Sequence, residues 1–149
     1  MADRSDVILE IWRDQRQAAV QSENQRATLS NIVILVVAAG LGLISQNGVT
    51  TSSLAVTVPM TLLGLYGVVA CLKFRERFDL HNKLSTRLRD QLVAVHPGLE
   101  FETTWRHAYE QHLSKYPKLF KIRLYLLWVA LHAGVAAGGF GLSVYAMVR

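Results

Sequence analysis

Three stretches of the chain carry no Asp, Glu, Lys or Arg, and the segments around them place apolar residues at helical intervals. The first, residues 29–46, reads LSNIVILVVAAGLGLISQ; the second, residues 54–72, reads LAVTVPMTLLGLYGVVACL; the third covers residues 124–148. A helix rises about 1.5 Å per residue, so the third stretch reaches roughly 37 Å, against about 30 Å for a hydrocarbon core. The pattern predicts an all-α integral membrane protein with three transmembrane helices and helical extensions. A polar segment of mixed charge precedes the first run and no small-residue cleavage pattern follows the layout of a signal peptide, so that run reads as an uncleaved anchor.

The extensions are amphipathic. In residues 1–28, Ile8, Ile11, Trp12, Gln15, Ala18, Ala19 and Ser22 recur at steps of three and four, with Asp3, Ser5 and Asp6 placed to start a helix. No Pro or Gly interrupts residues 7–39, so this helix is expected to continue into the first span. Gln17, Gln21 and Gln25 form a polar ridge that reads as a solvated face, with hydrogen bonding across an interface as the alternative. Residues 73–121 are expected to form a helical hairpin. Phe74, Phe78, His81, Leu84, Leu88, Leu92 and Val95 make a heptad-like stripe that should end at His96-Pro97-Gly98. A further helix should start at Thr103 or Thr104, with Trp105, Ala108, Tyr109, His112, Leu113 and Tyr116 lining one side. Pro117 should end it and open the next helix, with the third span over residues 122–148. Two long extensions on one side of the membrane, each with an apolar stripe, are expected to cover one another as an antiparallel stalk. Pro59 lies inside the second span and permits a kink there.

Charge decides the orientation. The 149 residues are 51% hydrophobic and 18% charged, with a net charge of +5. Arg4, Arg13, Arg16 and Arg26 precede the first span, and eleven Lys or Arg fall between Lys73 and Arg123. The NGVTTSS connection at residues 47–53 has none, and Arg149 alone follows the third span. Cationic loops stay in the cytoplasm, so the expectation is a multi-pass protein of the cell inner (plasma) membrane with its N-terminus cytoplasmic and its C-terminus outside. Nucleic acid is not expected as a partner: six acids are interspersed among the eleven bases. The bases instead crowd the span ends, where anionic lipid headgroups attract them. Arg75, Arg77, Lys118, Lys121 and Arg123 are the candidate collar for headgroups or a partner.

Candidate chemistry is sparse. No nucleophile elbow, P-loop, zinc-protease helix or dinucleotide fingerprint occurs, and no catalytic, cofactor or metal residue is assigned. His107 and His112 near Glu110 are five residues apart, roughly 140° around a helix, and poorly placed as joint ligands. Cys71 stands alone inside the second span and reads as packing. His132 is the titratable side chain within the third span, where such groups face a bundle interior or a watery cavity. It reads either as a neutral histidine in one interhelical hydrogen bond or as a pore-lining residue.

The third span also carries a stripe of small residues: Ala130, Ala133, Gly134, Ala137, Gly138 and Gly141. Gly134 and Gly138 make a literal G-x-x-x-G, which lets another backbone approach closely in lipid. Three short spans bury little in one copy, so a homo-oligomer or a larger membrane complex is expected.

The layout resembles the small bacterial membrane proteins grouped as SLATT-like effector domains, which join membrane spans to cytoplasmic helices and accompany antiviral signalling systems. The residues that carry it are KFRERFDLHNKLSTRLRDQL (73–92) and EIWRDQRQAAVQSENQR (10–26). A third span departs from the two-span pattern. The resemblance implies a pore-forming or membrane-disrupting effector, and no residue role carries over. The expected function is therefore a non-enzymatic, self-associating helical membrane protein that perturbs the membrane. The alternative is an adaptor or structural subunit whose cytoplasmic helices recruit a protein partner.

Overall fold

A computed structural model describes residues 3–148, and among these there are helices and turns but no strand. The helices are α1 (Arg4–Asn47), α2 (Leu54–Val95), α3 (Phe101–Lys115) and α4 (Leu124–Val148). Single turns of 3-10 helix at Thr51–Ser53, Pro97–Leu99 and Leu119–Lys121 lie between them. α1, α2 and α4 are long and apolar enough to cross a membrane. Arg149, the closing cation of the sequence, lies outside the described residues.

Local chemistry sets the helix ends. α1 stops where Gly48 takes φ +73°, a left-handed conformation that costs glycine nothing. The Ser53 hydroxyl then accepts the Thr50 N–H at 3.0 Å and donates to the Gly48 carbonyl at 3.3 Å, closing a short reversal. α2 runs through Pro59 and ends before His96-Pro97, as the proline requires.

Two boundaries differ from the expectation. α3 begins at Phe101 rather than at Thr103 or Thr104. Glu100 adopts φ 44°, and the Thr103 and Thr104 hydroxyls donate to its carbonyl at 3.1 and 3.2 Å, so neither threonine caps the helix from outside. Pro117 does not open the next helix either. A 3-10 turn and an extended Ile122 intervene, and α4 starts at Leu124.

The chain forms two compact units. The first comprises residues up to Ser22 together with Glu76–Arg123; the second comprises Glu23–Arg75 and the residues from Leu124 onward.

In the first unit α1 and α2 run antiparallel. Ser5 Oγ meets His96 Nε2 at 3.1 Å, Gln15 Oε1 meets His81 Nδ1 at 2.8 Å, and Arg16 Nη1 donates to Asn82 Oδ1 at 3.5 Å. Ile8, Ala19 and Ser22 are buried on α1 and Ser85 on α2. The α2 seam departs from the expected stripe: Leu84 and Val95 are exposed at 38% and 46%, and Ser85 takes the seam. Strict alternation of three and four, through 78, 81, 85, 88 and 92, selects the serine over its larger neighbour. Ile11 also turns outward, while Gln17, Gln21 and Gln25 form the exposed ridge expected of them. α3 buries no residue.

In the second unit α2 and α4 are antiparallel neighbours. Thr57 meets Ser143, Thr61 meets Gly139, Gly64 meets Ala136 and Gly67 meets His132. Rising numbers on one helix match falling numbers on the other. α1 joins through Gly40 against Val56 and through Ser30 against His132.

Candidate functional site

The core of the second unit is made of small and hydroxylated side chains. α4 buries His132, Ala136, Gly139, Ser143 and Ala146, at alternating steps of four and three. α2 answers with Thr57, Met60, Gly64, Gly67 and Cys71. Each glycine on the seam is filled by its neighbour. A Cβ on Gly64 would stand 2.7 Å from the Ala136 Cα, and one on Gly139 would stand 2.7 Å from Thr61 Oγ1. Gly67 leaves the space that the His132 ring occupies. Backbones therefore approach closely, the arrangement that stabilises helix pairs where no hydrophobic drive acts.

Hydrogen bonds link all three helices. His132, fully buried, places Nε2 3.0 Å from Ser30 Oγ on α1. The Thr57 and Ser143 hydroxyls lie 2.8 Å apart, Ser143 donates back to the Gly139 carbonyl at 2.8 Å, and Thr61 donates to the Thr57 carbonyl at 2.9 Å. One turn before Ser30, Arg26 is buried at 3% exposure and paired with Glu23. Cys71, a free and buried thiol, adjoins Ser30 and Arg26. Arg26 Nε and His132 Nδ1 are enclosed without a hydrogen-bond partner among the described residues. An orphaned buried polar atom costs about 1–3 kcal/mol, so this layer is tightly packed but carries an unmet polar demand.

The six small residues singled out from the sequence lie elsewhere on α4. Ala130, Ala133, Gly134, Ala137, Gly138 and Gly141 are all exposed. A Cβ at Gly134, Gly138 or Gly141 would meet nothing within 4 Å. At 100° per residue this stripe is centred roughly 170° from the packed side. α4 thus has two small-residue faces: one filled by the chain's own helices and one open. Sequence reasoning missed the filled face. Its signal was the four-three spacing from His132 to Ala146, opposite Gly64 and Gly67 at matching spacing on α2.

The collar residues are divided between the units. Arg75 belongs to the second, its guanidinium 5.2 Å from the centre of the Tyr125 ring. Arg77, Lys118, Lys121 and Arg123 belong to the first and are exposed. His107 and His112 do not converge. His107 Nε2 lies 3.2 Å from Gln111 Nε2, whereas His112 packs against the Tyr116 and Phe120 rings, at 5.2 and 6.3 Å between centroids. Among the described residues no three His, Cys, Asp or Glu side chains gather as a metal site.

The first unit has an open groove of about 410 Å³ lined by Trp12, Arg16, Asn82, Ser85, Thr86, Arg89, Phe101 and Trp105. Phe101 and Trp105 are stacked at 6.1 Å, and the Arg89 guanidinium lies 5.6 and 5.8 Å from their centres. Asp90 accepts from Arg89 Nε and Nη2 at 3.1 and 2.8 Å, leaving Nη1 outside that pair.

No protein-family model, no curated protein and no solved structure matches this chain.

Proposed function

We propose that this is a non-enzymatic membrane protein that assembles with further copies of itself and perturbs the bilayer, in the manner implied by its SLATT-like layout. In this reading α1, α2 and α4 cross the inner membrane, with the first unit in the cytoplasm and the C-terminus outside. One observation carries the self-association. The face of α4 bearing Gly134, Gly138 and Gly141 is small, apolar and unoccupied, on the side away from the chain's own packing. A second helix can approach such a face closely, and lipid tails fill it less well. Mass measurement in detergent tests this. Wild type should run as an oligomer and Gly134→Leu with Gly138→Leu as a monomer; an unchanged complex mass would remove this face from the interface.

A second reading has its own support. α3 buries nothing and exposes Trp105 at 57% and Tyr109 at 45%, residue types that dominate protein interfaces. This favours an adaptor whose cytoplasmic helices recruit a soluble protein. Stable co-purification of one stoichiometric partner, with no dye leakage on expression, would select it over the effector.

A further inference from the structure

We infer that the groove between α1, α2 and α3 is a docking site for an acidic segment of a partner protein, one that sets a carboxylate beside an apolar anchor. The inference deepens the adaptor reading and rests on it.

The chemistry of the lining makes the choice. Two guanidiniums, Arg16 and Arg89, stand among the described residues that line the groove and no carboxylate does; Asp90 and Glu102 line the adjoining hollow on the far side of Arg89 and Phe101. Asp90 occupies Arg89 Nε and Nη2, so Arg89 Nη1 and the Arg16 guanidinium, whose Nη1 reaches Asn82 only at 3.5 Å, remain to hold a carboxylate. Arg16 is exposed and its bond to Asn82 is long at 3.5 Å, so a shorter charge-assisted bond would readily replace it. The apolar half of the site comes from Trp12, Phe101 and Trp105. Phe101 and Trp105 stack on one another and both lie against the Arg89 cation, so these two rings are already positioned and little of their ordering is lost on binding.

One hydroxyl adds direction. Thr86, exposed at the groove, donates its hydroxyl to the Asn82 carbonyl at 2.9 Å, which leaves its oxygen free to accept, whereas Ser85 is buried in the seam. Backbone N–H groups of a bound segment are donors of the required kind. The groove is an open channel between helices rather than an enclosed pocket, which suits a chain segment lying along it.

The test uses the full-length protein in detergent, labelled with fluorotryptophan. Its three tryptophans, Trp12, Trp105 and Trp128, give separate fluorine signals, and Trp128 on α4 serves as the internal reference. The probes are an acetylated, amidated peptide of alternating Glu and Leu, its counterpart of alternating Lys and Leu, and inorganic phosphate. The acidic peptide should shift the Trp12 and Trp105 signals saturably and leave Trp128 in place. Arg16→Glu, an exposed substitution, should weaken the binding by about tenfold or more, the loss of one charge-assisted bond. Arg16→Lys, which keeps the charge but not the fork, should weaken it less. The inference is overturned if the acidic peptide moves neither signal, if the basic peptide or phosphate moves them equally, or if Arg16→Glu binds as well as wild type. Failure here is distinguishable from failure of the adaptor reading, because a partner held elsewhere would still co-purify with the Arg16→Glu protein.

Discussion

Gly67 and His132 form the tightest pairing in the second unit, since the imidazole fills the space where any other residue would carry a side chain. Gly67→Ala should therefore destabilise the protein by about 1–3 kcal/mol, the usual cost of forcing an extra carbon into a filled core. Unfolding in mixed micelles reads this directly, and an unchanged midpoint would show that the ring can move aside. Ser30→Ala removes the partner of His132 Nε2 and leaves both ring nitrogens without one. The expected loss is about 0.5–2 kcal/mol, in the range for interhelical hydrogen bonds in membranes. Because His132 is sealed inside the seam, His132→Ala should leave any oligomer-dependent dye leakage in place once its lower stability is allowed for. Leakage lost with His132→Ala in a protein that remains folded and oligomeric would instead give this histidine a place on the conducting path.

At the level of the helix, α4 separates two jobs that one stretch of sequence carries together. Its His132–Ala146 side builds the unit, and its Ala130–Gly141 side is open, the face that the proposed self-association uses. Leucine substitutions on the two sides should then differ in kind. Gly139→Leu would drive a large side chain into Thr61 and should prevent folding, whereas Gly134→Leu should leave the monomer folded and remove only its association. Circular dichroism together with detergent mass distinguishes these outcomes; loss of helix in both variants would mean that the open face is needed for folding.

The three long apolar helices were legible in the sequence, because runs of 18 to 25 uncharged, mostly apolar residues leave few alternatives. The seam was less so. Small residues surround α4, and composition alone does not say which of two glycine-bearing sides meets the chain's own helices. The choice of Ser85 over Leu84 followed from the three-four alternation, which outranks hydrophobicity once the spacing is fixed. The early start of α3 depended on the left-handed Glu100, a conformation that a glutamate does not advertise. On α1 the seam steps run 15, 19, 22, then 26, 30 and 33. The two successive fours place one stutter at the buried Arg26, where the register departs from a strict heptad.

For the whole molecule, the proposed function requires one unit, rich in glycine, hydroxyls and apolar surface, to enter a bilayer and the other, holding the cationic residues Arg77, Lys118, Lys121 and Arg123, to stay out of it. The native thiol, Cys71, is buried and can be replaced by serine to give a background for placed cysteines. The most direct measurement is labelling of intact cells with a membrane-impermeant maleimide at Val49→Cys, in the connection between α1 and α2, and at Lys83→Cys, in the first unit. The account predicts that position 49 labels on intact cells and that position 83 labels only after the membrane is opened. Labelling of position 83 from outside, or recovery of the protein in the soluble fraction without detergent, would contradict it.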